Sequence, residues 1–385
     1  GGDFNILIGY AAGNALTTTN SSIFIGHESG DQHDTETNNI GIGRGALGGS
    51  IAGGEYNVAV GNYSLDALTS SDFNTAVGYQ AGSAVTTGDG NTLFGYQAGL
   101  AITGAGAYNV CLGTQAGLAI TTGIRNTMVG QAGYQFDAED DNLGIGHGAL
   151  SGAINGGEFN IAIGNHTLDA LTSGDNNTVV GYGAGGVLTT GNNNTHLGYL
   201  AGDTLTTGAQ NIFIGANVDP SGNNAQYQYV IGYNIAATED SQFIFGRPSN
   251  TVQNEFDTDN AWSRTSDVRK KKNIKNSTLG LNFINDLRPV TFEWKPNNQF
   301  PKDFAEYSEE NYMTLDVTMH GMIAQEVKSA LDNAEVNNFG GWKEDKDGSQ
   351  RISQEMFVYP LIKAVQELSA TVTTLQQEIN TLKGE

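Results

Sequence analysis

Ser266 and Lys271 stand five residues apart in the stretch TSDVRKKKNIK (265–275), and together they could form a hydrolytic dyad. A serine hydroxyl is a poor nucleophile until a base takes its proton, and a neutral lysine amine can be that base. Holding a lysine neutral near pH 7, against its ordinary pKa of about 10.4, costs roughly 4–5 kcal/mol. Only burial and neighbouring cations in a folded site can supply that, and Arg269, Lys270 and Lys272 are such neighbours. On spacing alone, a solvated basic loop is the commoner meaning of the pattern.

What must position the dyad is visible in the composition. No lysine precedes Lys270, and 47 of the 53 glycines lie before Ser266. Residues 1–265 carry 4 arginines against 23 acidic residues, a net of −19, whereas residues 266–385 carry 14 basic and 18 acidic residues, a net of −4. The boundary divides a Gly-, Asn- and Thr-rich acidic part from an ordinary globular domain with a helical tail. An acidic surface repels phosphate backbones, so nucleic acid is not an expected partner. No apolar run reaches membrane-spanning length, so no membrane insertion is expected. The single Cys111 is expected to be a small buried hydrophobe. The chain begins GGDFNILIG, already inside a repeat, and is expected to be the C-terminal part of a longer or processed protein, since solenoids need a cap.

The first part repeats Asn-x-x-apolar-Gly, as in NTAVG, NVCLG and NIAIG, with a step of 17 residues and an occasional 16 or 18. A degraded copy, QFIFG, ends at Gly246. A longer block, IGIGRGALGGSIAGGEYNVAVGNYSLDALTS, returns 103 residues later as LGIGHGALSGAINGGEFNIAIGNHTLDALTS. Such a period means stacked units too small to bury a core alone. The expected fold is mostly β: a β-solenoid or β-roll shaft over 1–246, with a second short β-run at LTTG in each coil. Asn stacks coil on coil, and Gly supplies the positive φ of each turn. At ~4.8 Å per coil, 15 coils make a rod of roughly 70 Å. A coil this thin favours closely packed or intertwined identical chains. Residues 247–265 lack the repeat and are expected to form a neck. These repeats are also loosely similar to the head repeats of trimeric autotransporter adhesins, which are shorter.

Over 266–385 the motifs SDVRKKKNIK, LGLNFINDLRPVTFEWKP, HGMIAQEV and VYPLIKAVQELSATVTTLQQEINTL occur in order. This resembles the C-terminal intramolecular chaperone domain of phage tail spikes and tail fibres, of the endosialidase type. The resemblance implies a small α+β domain that aligns three chains and then cuts itself off with a Ser-Lys dyad. Carried over, Ser266 is the nucleophile, Lys271 the base, and the cut falls between Thr265 and Ser266. His320 in HGMIAQEV matches a family histidine implicated in processing, and Arg351 in GSQRIS is a further suggested counterpart. The family has one or two lysines after the arginine; the three here leave Lys270 and Lys272 as alternative bases. Leu361, Val365, Leu368, Val372, Leu375, Ile379 and Leu382 step 4-3-4-3-4-3, a coiled-coil seam over 361–382. Its Val or Ile at a and Leu at d formally favour two strands, so three rests on the resemblance.

Other constellations are weaker. DTETNN (34–39) and DAEDDN (137–142) cluster carboxylates but meet no calcium-loop spacing, and solvated acidic loops are expected. His27, His147, His166 and His196 have no chelating spacing and are expected at surfaces or turns. No cofactor and no metal are expected. The leading expectation is a virion tail fibre or spike whose partners are itself as a homotrimer and a host cell-surface glycan or protein receptor. Other tail proteins would attach through a region preceding residue 1. The alternative is a trimeric cell-surface adhesin or extracellular filament protein with the same chaperone. No turnover enzyme is expected in the shaft.

Overall fold

A computed structural model describes residues 2–50, 52–257, 266–311, 313 and 315–384. The chain divides into two compact units, Gly1–Ser266 and Asp267–Glu385.

The first unit is a solenoid built on one sixteen-stranded sheet in strict sequence order. Twelve three-residue strands, β1 (Ile6–Ile8) to β12 (Thr195–Leu197), lead to two of eight residues, β13 (Ile212–Asp219) and β14 (Tyr229–Ala236). All pair in parallel with the same position one coil on, as in Val58↔Thr75 and Thr75↔Thr92. The chain therefore winds on itself, each coil pairing with the next coil of the same chain. After β15 (Gln242–Arg247), the neck segment folds back as β16 (Asn250–Glu255), antiparallel to it, and ends the parallel stacking. The rest of the expected neck, 258–265, lies outside the described residues.

Buried asparagines stack the coils. From Asn57 to Asn211, each backbone N–H donates to the side-chain oxygen of the Asn one coil earlier, at 2.8–3.1 Å. Their amide groups donate to turn carbonyls, for example Asn177 to Gly191 O at 2.8 Å. A second ladder runs outside in the opposite sense: Glu55 N–H donates to Asp72 Oδ1 and Asp72 N–H to Asp89 Oδ1. The motif glycines permit the contact. A Cβ on Gly181, at φ +141°, would sit 2.0 Å from the carbonyl oxygen of Gly198. Glycine is only part of the turn chemistry, because Tyr56, Phe73, Tyr108 and Phe159 also adopt positive φ just before the ladder Asn.

The middle residue of each short strand points inward. Phe24, Ala76, Leu93, Cys111, Met128 and Val179 are fully buried there. Size is balanced between neighbouring coils: a Cβ on Gly144 would approach Met128 Sδ to 2.9 Å. Burial pushes the Cys111 thiol up to about 12.

Three expectations need correction. LTTG is not a second strand: Thr69 and Ser70 both donate to Thr86 O, at 3.0 and 3.3 Å, so the chain bends there instead of extending. The apolar residue of that run still fills the core, as Leu68 and Val85 do. The acidic loops are not simply solvated. Glu36 and Glu139 are buried, and each carboxylate accepts backbone N–H groups, from Gly53 at 3.0 Å and from Gly156 at 2.9 Å respectively. Finally, His196 is not at a surface. It takes the inward strand position, fully buried, 4.9 Å from the Phe213 ring. His33 is buried likewise, 4.8 Å from Phe24. Neither imidazole has a hydrogen-bond partner among the described residues.

The second unit has a core of Leu279, Phe283, Val327, Ala330, Leu331 and Phe357. Around it lie α1 (Leu281–Asp286), the hairpin of β17 (Val290–Phe292) and β18 (Met319–Gly321), and α2 (Ala324–Asn333). A second hairpin, β19 (Trp342–Glu344) with β20 (Gln350–Ile352), precedes α3 (Val358–Lys383). Helix α1 starts at Gly280 without a side-chain cap of its own. Glu367 of α3 accepts the Leu281 N–H at 2.8 Å instead, which ties the two helices.

Two expected outcomes test this account. Asn177→Ala orphans the buried Asn194 N–H and Gly191 carbonyl, and is expected to lower unfolding free energy by about 2–4 kcal/mol in denaturant titration. Burial lowers His33 to about 4 and His196 to about 3, below the unfolded value of 6.5. The unfolded chain then binds more protons, so their contribution falls as pH drops from about 6.5 and levels off below about 4 and 3. Asp219 opposes this in part, since burial and Asp203 raise its carboxyl to about 6. His196→Leu should flatten the loss of melting temperature between pH 6.5 and 4; an unchanged slope would contradict it.

Candidate functional site

Ser266 and Lys271 bracket one tight turn. Val268–Lys270 form a single 3-10 turn with Asp267 as its N-cap, accepting the Arg269 N–H at 2.8 Å. The Asp267 carboxylate also holds the Arg269 guanidinium, with Nη2 at 2.7 Å from Oδ2. That ion pair keeps the Asp267 carboxyl below its usual value. The turn closes through Lys270 N–H to Asp267 O at 3.1 Å and Lys271 N–H to Val268 O at 3.0 Å. The chain leaves in an extended conformation at Lys271. The sequence motif thus forms a clamped loop with a serine at its entry and a lysine at its exit. Arg269 is spent on Asp267, and Lys270, Lys271 and Lys272 are all exposed, as is Ser266. Thr265, on the other side of the expected scissile bond, lies outside the described residues.

His320 is the central residue of β18, opposite Thr291 of β17, and is exposed. Its strand borders an apolar groove of about 620 Å³ lined by Phe292, Trp294, Phe300, Met322, Ile323 and Ile352. Arg351 of β20 reaches the same groove and is ion-paired with Asp345, which also holds Lys343 at 2.9 Å. Neither Ser266 nor Lys271 lines this groove. Sequence reasoning did not find it, although the alternation in VTFEW places Phe292 and Trp294 on one side of the chain and signals it. Among the described residues no group of three or more His, Cys, Asp or Glu is placed to hold a metal ion.

The helix that ends this unit has two faces. Pro360 and Ala364 are buried, whereas every residue of the seam from Leu361 to Leu382 is between 43 and 87 % exposed. Seven apolar side chains at 4-3 spacing thus lie along one exposed face of the helix. Within the described residues, no helix is long and apolar enough to cross a membrane.

Residues 266–335 match the protein family described as the chaperone of endosialidase. The match begins at Ser266, takes in Lys271 and His320, and ends just after α2, so it agrees with the resemblance drawn from the motifs. No curated protein and no solved structure matches this chain.

The seam gives a direct expectation. Leu368→Asp with Leu375→Asp should convert the assembled protein to monomers in sedimentation velocity. Secondary structure should hold, because both side chains are exposed and outside the core of the unit.

Proposed function

We propose that the chain is a viral tail fibre or tail spike protein: a homotrimeric solenoid shaft that engages a host surface, followed by a chaperone that assembles three copies and then releases itself. The observation that carries this reading is the apolar seam of α3, left uncovered beside a segment that matches the chaperone family. The shaft supports it. The two outward residues of every three-residue strand, β1 to β12, are Ile, Val, Leu, Thr or Phe, and none is charged. Ile6, Ile8, Phe94 and Leu197 of this face are 44 % exposed or more. Apolar strips of such length are found where another protein surface packs.

In this reading Ser266 Oγ attacks the Thr265 carbonyl carbon while the Lys271 amine takes the hydroxyl proton. The proton then passes to the Ser266 backbone nitrogen as the Thr265–Ser266 bond breaks, and water hydrolyses the resulting ester. His320 assists processing. A lysine can serve as base only when held neutral, which takes burial or neighbouring cations. Packing against another copy is what supplies the burial, so cutting waits for assembly. Release of residues 266–385 removes the element that guided folding, and the shaft keeps its form through a high unfolding barrier.

Intact mass measurement tests this. Wild type should yield a fragment beginning at Ser266 once assembled, while Ser266→Ala and Lys271→Ala stay whole with the same sedimentation coefficient. A wild type that assembles and remains uncut would leave a chaperone without a protease.

A further inference from the structure

One coil in the middle of the shaft is a residue short, although its strand and its ladder Asn stack like the others, and a recess lies beside it. Most coils place a residue with positive φ two positions after the motif glycine, such as Gln80, Gln97 and Gln115. The coil that starts at Gly130 is one residue shorter and lacks it: Ala132, a core residue, already stands at that position. Gly130 itself has φ +89°, where Gly113 and Gly146 have +139° and +131°. Gln131 closes the gap by donating to Gln115 at 3.3 Å.

The recess has a volume of about 290 Å³ and draws its walls from three successive coils. Tyr134 and Gln135 come from the short coil, His147 and Ser151 from the next, and His166 and Asp169 from the third. The His147 and His166 rings meet edge to face at 5.4 Å. The His166 Nδ1 lies 3.5 Å from Asp169 Oδ2. Tyr134 is 38 % exposed, and partial burial raises the Asp169 carboxyl above its usual value.

The duplicated block supplies an internal comparison. In the earlier copy Asp31 stands for Tyr134, Arg44 for His147, Gly48 for Ser151 and Tyr63 for His166, while Asp66 matches Asp169. The later copy has exchanged a charged aspartate and arginine for a phenol and an imidazole around the retained aspartate.

We infer that the recess formed by Tyr134, Gln135, His147, Ser151, His166 and Asp169 is a binding subsite for a neutral saccharide. The argument is chemical. A sugar ring presents C–H groups on its faces and hydroxyls at its rim. Tyr134 and the two imidazoles give flat surfaces for the former. A carboxylate, an amide and a hydroxyl give the acceptors and donors that the latter need, and one or two such convergent polar groups fix orientation in small-molecule sites. The size sits at the lower bound of such sites, roughly 300 Å³, which suits one or two sugar units. An anionic sugar is disfavoured by Asp169 and by the net charge of −19 on residues 1–265. The proposal rests on the reading of the shaft as a host-surface binder.

Saturation-transfer NMR with the full-length assembled protein tests it, using the methyl glycosides of glucose, galactose, mannose and N-acetylglucosamine as probes. At least one should bind with millimolar affinity. Asp169→Asn and Tyr134→Ala should each weaken it about tenfold. Asp66→Asn, the equivalent change in the earlier copy, should leave binding unchanged, and circular dichroism should show all three variants folded. The inference is overturned if no probe binds, or if a bound probe is indifferent to Asp169→Asn and Tyr134→Ala. Adsorption of the same proteins to host cells is scored separately. When no probe binds, adsorption that persists in both variants leaves the shaft a host-surface binder without this subsite.

Discussion

The constraint on which the shaft depends is that backbone glycines of adjacent coils meet with no room for a side chain. Gly181 faces the Gly198 carbonyl so closely that a Cβ would overlap it, and the same holds for the motif glycines from Gly9 to Gly232 except Gly130, where the nearest atoms are 3.2 Å away. Once that spacing is set, the buried Asn side chains are at the one distance where an N–H of one coil reaches the amide oxygen of another. The inner residues can then alternate large and small, as Met128 does with Gly144, because every coil presents its inward position at the same height.

Much of this was legible in the sequence. A fixed step of 17, with Asn and Gly at constant offset, specifies stacked coils and a ladder. The number of strands per coil was not legible, because Leu-Thr-Thr suits both an extended run and a bend. Carbonyl sharing by Thr69 and Ser70 decides it only in three dimensions. Buried Glu36 and Glu139 were unreadable for a related reason: their partners are backbone N–H groups a full coil away, which leave no mark on residue type. His196 is different. Its place in NTHLG, the parity of Ala76 in NTAVG, already put it inside, and its polarity was allowed to outweigh its position. At the candidate site, the motifs singled out Ser266, Lys271 and His320, while the groove lined by Phe292 and Trp294 depends on residues brought together only by the fold.

The two units leave apolar surface uncovered in different ways. The shaft exposes a strip of β-branched and aromatic residues, while α3 exposes seven apolar residues at 4-3 spacing. Knobs-into-holes packing along a seam of only seven residues limits how far paired helices can slip and stay packed. The strip sets no such limit. Its repeats are so alike that a shift by one coil costs little, which is the weakness of uniform strands. One chain thus carries a short element whose slippage is limited together with a long one whose slippage is not.

The direction of the inter-coil hydrogen bonds also sets how the shaft carries a load. They run along the stacking axis, so tension between its ends pulls them open one coil at a time instead of shearing many together. Each coil that opens frees 17 residues, on the order of 55 Å of contour, in place of a rise of ~4.8 Å. The two-ladder design therefore stores slack in equal increments. A fibre of this construction would lengthen stepwise under pull, giving up one loop of its spool while the remaining loops keep their contacts.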